Sequence, residues 1–209
     1  SPWDDIDLGS ADDDLGGCDT ILQSLFTYNN LDDFVYGNNP PAIFTSVLQG
    51  PIVPSINPSD TAYLRNGILI GEEVFAGFKN LGLYSFAGYT KGDIYQGDPR
   101  DIAQVWNYVH VRDRYGYLLN PCEISYGRVY GNVDCSQVNP MFWFSGDPVI
   151  QNGWLDIRAL DDRKFSSIGP IALEKNNPQE IIIAYVIGRG NDPLNSVTVA
   201  RENVQRAIQ

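Results

Sequence analysis

The chain has 209 residues, a net charge of −12 at pH 7 and a sequence pI of about 4.3. This negative balance argues against a nucleic-acid partner and against binding to anionic membrane surfaces. A hydrophobic content of 43% excludes wholesale disorder, and no apolar run approaches the roughly 18 residues that membrane insertion as a helix requires.

The N-terminal segment holds much of the negative charge. Residues 1–19 contain no Lys or Arg but carry seven aspartates, namely Asp4, Asp5, Asp7, Asp12, Asp13, Asp14 and Asp19. Because this segment also contains several glycines, we predict an acidic loop over residues 1–20, followed by a single β-sandwich domain over residues 21–209.

Three interpretations of the acidic loop stay open: a calcium site, an acidic surface facing solvent, and a disordered arm. Hard cations take six to eight oxygen ligands, which closely spaced carboxylates supply. The spacing is not that of an EF-hand loop. The candidate Ca²⁺ ligands are Asp5, Asp7, Asp12, Asp13, Asp14 and Asp19.

Strand patterns dominate the next part of the chain. Residues 20–30 and 42–48 are rich in β-branched and aromatic residues and end at Asn or Gly, as strands do. Residues 67–80 and 81–90 are two further strand candidates. A helix is predicted after them, with Asp98 as its N-cap and Pro99 in its first turn.

The C-terminal part is predicted to contain two strands and a second helix. The strands are joined by a turn at residues 175–178, and the second one, at residues 180–187, is expected to be central because it is nearly continuous in β-branched residues. The helix begins near Asn195 or Ser196 and has Val197, Ala200, Val204 and Ala207 on one face. The whole pattern favours an all-β fold, an antiparallel β-sandwich or jelly-roll with two short helices.

The three cysteines allow one intrachain disulfide. Cys122 and Cys135 flank a turn-rich segment and are the candidate pair, which leaves Cys18 free, buried or paired with another chain. The alternative is three reduced, buried thiols.

Candidates for catalysis are few, and we expect no enzymatic activity. The spacing of residues around the single histidine, His110, indicates neither a nucleophile nor an acid that would orient its ring. Asp113 and Glu123 would be a carboxylate pair of the glycosidase kind, but acidic chains commonly offer such pairs. Aromatic side chains that stack on sugars are a second possibility: Tyr126 and Tyr130 are candidates, whereas Phe142 and Phe144 fit a core better.

Several motifs occur in one order: "DDLGGCDT", "FTYNN", "YGNNPPAIFTSVLQGPIVP", "FSGDPV" and "SSIGPIALEKNNPQEIIIAYVIGRG". The set resembles a module of large secreted proteins from Bacteroidota and Ignavibacteria that usually end in a type IX secretion sorting domain. The resemblance covers about residues 12–205, and the last block is its most specific part. It implies a β-rich fold and a secreted, extracellular or cell-surface location, without implying a reaction.

These observations predict an extracellular, non-enzymatic structural or adhesive module that assembles at the cell surface and is stabilised by calcium. Its expected partners are other copies of itself or other cell-surface proteins. The alternative function is a carbohydrate- or peptide-binding accessory module of a secreted hydrolase, with glycans as partners.

Overall fold

The computed structural model describes residues 3–65 and 71–209, which form a β-rich fold in which the named strands pair antiparallel. The strands are β1 (Trp3–Asp4), β2 (Leu15–Asp19), β3 (Ser24–Tyr28), β4 (Ala42–Gln49), β5 (Ile52–Pro54), β6 (Thr61–Arg65), β7 (Glu72–Ala76), β8 (Phe78–Asn80), β9 (Leu83–Thr90), β10 (Gly127–Tyr130), β11 (Gly153–Asp156), β12 (Asp162–Ile168) and β13 (Ile182–Gly188). The helices are α1 (Ile102–Val109) and α2 (Pro193–Ile208), and Cys135–Gln137 forms a short 3-10 turn.

Two sheets form the body of the fold. One has the strand order β13-β4-β3-β2, and the other has the order β1-β12-β9. Buried side chains from both sheets, including Cys18, Leu25 and Phe86, belong to one core cluster that also contains Trp143 and Trp154. The expected all-β, sandwich-like fold is therefore confirmed.

Helix α2 covers the outer face of the four-stranded sheet. Alternation along β3 and β4 turns Phe26 and Phe44 to this face, where their rings stack at a centroid distance of 4.8 Å. The predicted apolar face of the helix supplies Val197 and Val204 to the same core cluster. Gly188 ends β13 against the helix, and a Cβ there would lie 2.1 Å from the backbone nitrogen of Ala200. The close approach of strand and helix therefore depends on a glycine at this position.

Both helices are capped by an aspartate directly before their first turn. Asp101, rather than the predicted Asp98, caps α1 by accepting the N–H of Gln104 at 2.9 Å. Asp192 caps α2 by accepting the N–H of Asn195 at 2.7 Å. Pro193 follows directly and lies in the first turn, where its missing N–H has no intrahelical partner to lose. Among the described residues, no helix has the length and apolar character needed to cross a membrane.

Three predictions about the elements differ from the structure. Residues 1–20, predicted as a loop, contain β1 and β2, and β2 pairs with β3 inside the four-stranded sheet. Strand β13, predicted as central, lies at an edge of that sheet. Strands β12 and β13 belong to different sheets instead of forming one hairpin, and part of the strand predicted at residues 67–80 lies outside the described residues.

Candidate functional site

An apolar groove of about 330 Å³ lies between α1 and the three-stranded sheet. Its floor is formed by rings from three elements, because Tyr108 stacks on Tyr89 at 5.5 Å and lies 6.1 Å from Phe165. The Tyr108 hydroxyl donates to the carbonyl of Gly97 at 2.5 Å, which ties the helix to the loop that precedes it. The remaining lining side chains are Trp3, Pro99, Val105 and Val109.

Large apolar side chains stand exposed around this groove. On α1, Ile102 is 86% exposed and Trp106 is 65% exposed, and Trp3 of β1 is 60% exposed. The helix therefore presents apolar residues both to the core and to solvent, which is unusual for a surface helix of a monomer. Such a surface is typical of a site that contacts another molecule.

A second exposed aromatic group is formed by the two loops on either side of α1, Tyr95 in the loop before the helix and Tyr115 and Tyr117 in the loop after it. Tyr95 and Tyr115 contact each other edge to face at 5.9 Å, and Tyr117 is largely exposed. The buried Asp113 fixes this loop, since its Oδ1 accepts the N–H groups of Tyr115 and Tyr117 at 2.9 Å each. Asn107 of α1 donates to the carbonyl of Arg114 at 3.2 Å, so the loop is held beside the helix.

An acidic cluster of three carboxylates, Asp5, Asp7 and Asp161, lies close to the groove. Their nearest oxygens are all within 4.8 Å of one another. Arg163 contacts two of them, at 2.7 Å to Asp161 and 3.4 Å to Asp5. Partial burial, together with the charges of Asp5 and Asp161, raises the pKa of Asp7. A cation bound here would relieve that repulsion, and carboxylates suit Ca²⁺.

The structure brings together only part of the predicted calcium set. Asp161 is an additional member that the sequence reasoning missed, although the adjacent pair at 161–162 before a strand was a signal. The remaining aspartates have other contacts: Asp13 accepts from the Asn29 amide at 3.0 Å, and Asp14 accepts the N–H of Leu8 at 2.9 Å. Asp12 is exposed. Asp19 caps the following turn and pairs with Arg201 of α2 at 3.5 Å.

The space between the sheets holds a charged cluster that consists of the buried Asp14, Asp156 and Lys164 and the half-buried Asp162. The Asp156 carboxylate accepts the N–H of Gly16 at 2.9 Å and that of Arg158 at 3.1 Å. Burial raises its pKa to about 7, and the charge of Asp162 adds to the effect. Burial likewise raises the pKa of Asp14 to about 6. The Lys164 Nζ is buried and has no hydrogen-bond partner among the described residues.

Comparison with known proteins identifies no relative. No family model, no curated protein and no solved structure matches this chain. The resemblance to secreted bacterial modules thus stays an expectation from sequence motifs.

The residues considered for catalysis have structural contacts. The His110 ring ends α1, with its Nδ1 2.9 Å from the carbonyl oxygen of Trp106. Asp113 is occupied by the backbone of its own loop, and Glu123 is exposed in a separate turn. Cys18 is buried, and its thiol donates to the carbonyl of Trp143 at 3.3 Å. Burial raises the pKa of this thiol well above its usual range. The contacts of His110, Asp113 and Cys18 help to hold the local structure.

Cys122 and Cys135 form a disulfide. It closes the segment that contains β10, and β10 pairs with β11 in a separate two-stranded sheet. Closing a loop of this length contributes about 3 kcal/mol in the chain-entropy account. Structural disulfides persist in oxidising compartments and are rare in the cytosol.

The aromatic residues predicted to stack on sugars are not the exposed ones. Tyr126 contacts Trp143 and Phe144 in the core, and the guanidinium of Arg158 lies 4.4 Å from its ring centroid. Tyr130 is partly buried, with the Arg128 guanidinium 5.9 Å from its ring. Phe144 is buried and Phe142 is partly buried in the same core cluster, as the sequence led us to expect.

Proposed function

We propose that this chain is an extracellular, non-enzymatic structural or adhesive module that holds a partner at the cell surface through the groove beside α1. The apolar groove and the exposed apolar residues of α1 carry the proposal, because exposed apolar surface of this kind is suited to binding another protein. The acidic residues beside the groove favour a partner whose apolar side chains are flanked by Lys or Arg.

The adhesion experiment uses beads coated with the purified chain, passed in shear flow over immobilised outer-membrane vesicles of a Bacteroidota bacterium. We expect the beads to attach, and the double variant Ile102→Ser/Trp106→Ala to reduce the attached number at least tenfold, since it removes the apolar rim. The matched control is Leu173→Ser, which changes an exposed apolar residue outside the groove. Attachment no greater than that of albumin-coated beads would count against the proposal.

The alternative, a carbohydrate-binding accessory module, has one observation in its favour. The exposed Tyr115 and Tyr117 offer ring faces and edges on a loop that Asp113 holds in place, and Tyr95 of the preceding loop contacts Tyr115. Aromatic rings of this kind stack on the apolar faces of sugars. A glycan array tests it: binding that Tyr115→Ala abolishes supports this function, and an array without any signal contradicts it.

Calcium stabilisation is part of the proposal and rests on the acidic cluster. At a free Ca²⁺ concentration ten times the Kd, a site present only in the folded state stabilises by about 1.4 kcal/mol, which raises Tm by roughly 3 °C for a chain of this size. We expect this shift in thermal melting with calcium against chelator, and its loss in Asp7→Asn. Asp12→Asn, in the same segment but outside the cluster, should keep the shift. A wild-type Tm that calcium leaves unchanged would exclude the site.

A further inference from the structure

Strand β13 is an edge of the four-stranded sheet. Its backbone pairs with β4, and no other backbone partner of Ile182–Gly188 is present among the described residues. One side chain reaches this edge, since the Asn203 amide of α2 donates to the Ile187 carbonyl at 2.9 Å and leaves its second lone pair for a further donor. A register irregularity lies between Ile182 and Ile183, so the strand is regular from Ile183 onward. The opposite edge is covered, since the N–H of Cys18 in β2 donates to the carbonyl of Phe144 at 3.3 Å.

From Ile183 onward this edge carries neither the charged side chains nor the prolines that often keep edge strands apart. Residues 181–188 read "IIIAYVIG", without a charge or a proline, in a chain whose net charge is −12. Tyr185 and Ile187 are about 60% exposed, although both lie within a seven-residue strand. An apolar, uncharged edge of this length favours pairing with another strand.

An exposed turn is fixed next to the end of β13. Arg189, the residue after the strand, donates to the carbonyl of Asn39 at 2.8 Å, and its guanidinium lies 5.6 Å from the Tyr36 ring centroid. Within this turn Asp33 accepts the N–H of Val35 at 2.8 Å, and Phe34 is 94% exposed. The turn therefore extends the apolar surface of the edge instead of covering it.

We propose that β13 pairs antiparallel with β13 of a second copy of this chain, joining the two four-stranded sheets into one. A two-fold interface uses the same patch on both subunits, and antiparallel pairing meets that condition. In this arrangement the start of each strand, next to Glu180, lies beside the end of the other strand, next to Arg189. Opposite charges therefore approach each other at both ends of the paired strands. The uncharged centre lets two strongly acidic chains meet with little repulsion. The pairing rests on the proposed structural function, of which self-assembly is one form.

Sedimentation velocity of the purified full chain over a hundredfold range of concentration tests the pairing. We expect a reversible monomer–dimer equilibrium, and Ile187→Lys to raise the dimer Kd at least tenfold because it places an ammonium on the edge. Val74→Lys is the matched control, since Val74 is also 60% exposed and lies in strand β7. Comparable melting temperatures of the two variants show that each one folds.

Amide hydrogen exchange supplies a second measurement on the unmodified chain. Protection of residues 183–188 should increase with protein concentration, while protection of β7 stays constant. A wild-type chain that remains monomeric overturns the inference, as does a dimer that Ile187→Lys and Val74→Lys affect equally. Dimerisation through another surface contradicts the pairing of β13 but not the proposed adhesive function. Conversely, a β13 dimer that does not adhere to vesicles contradicts the adhesive function but not the pairing.

Discussion

The free energy of unfolding is expected to fall by on the order of 3 kcal/mol as the pH rises from 5 to 8, because of Asp156. Its carboxyl is buried between the sheets, and burial raises its pKa from the ordinary 3.8 to about 7. Two backbone N–H groups and the charge of Lys164 favour the ionised form, yet desolvation outweighs them. The protein must therefore ionise a buried group as the solution becomes neutral.

The direction follows from the proton balance. Between pH 4 and pH 7 the folded state keeps the proton on Asp156 while the unfolded state has lost it, so raising the pH favours unfolding. Asp14, with a pKa of about 6, acts in the same direction over a narrower range. Asp33 and Asp93, whose pKa values are lowered by backbone N–H groups against the effect of burial, titrate below this window. The stability of the fold should therefore be greatest in mildly acidic solution.

Urea unfolding at pH 5, 6, 7 and 8 measures this dependence. In Asp156→Asn the side chain stays neutral throughout, so we expect the slope to shrink to the smaller part that comes from Asp14. Asp32→Asn, at an exposed position, should reproduce the wild-type slope. Wild-type stability that rises between pH 5 and pH 8 would contradict the prediction.

The sequence was sufficient for the strand-rich fold and for both helices, because these depend on local composition and spacing. The apolar spacing of α2 correctly identified Val197, Ala200 and Val204, which are all buried, but the fourth predicted member of that face, Ala207, is exposed. The error over residues 1–20 has a physical cause: Gly16 and Gly17 resemble turn residues, but they are required in a strand. A Cβ on Gly16 would lie 2.5 Å from Cε of Lys164, and one on Gly17 would lie 2.4 Å from the Phe26 ring.

The features that could not be predicted from the sequence depend on contacts between residues far apart in the chain. A run of β-branched residues predicted β13 correctly as a strand, but a strand's position in a sheet depends on which segments pair with it. The acidic cluster is similar, since Asp161 is far from Asp5 and Asp7 in sequence and reaches them through the pairing of β1 with β12. The groove beside α1 likewise combines Trp3 of β1 with residues of β9, β12 and the helix.

Phe44→Ala is expected to lower the free energy of unfolding by about 4 kcal/mol, since large-to-small changes at fully buried aromatic positions cost 3–5 kcal/mol. Phe44 has no exposed surface, and its ring stacks on Phe26 beneath α2. Removing it leaves a cavity between the sheet and the helix that the surrounding backbone cannot fill. Chemical denaturation, followed by near-UV circular dichroism for the aromatic packing, measures the loss.

Phe34→Ala is the matched control, because it removes the same side chain at a position that is 94% exposed. Its effect should stay within about 0.5 kcal/mol. Phe44→Leu, which keeps most of the volume, should fall between the two and provides a folded variant if Phe44→Ala does not fold. Equal losses in Phe44→Ala and Phe34→Ala would mean that α2 is not held by the apolar face of the sheet. The outer face of the four-stranded sheet would then be free for a second copy to bind, in competition with the edge at β13.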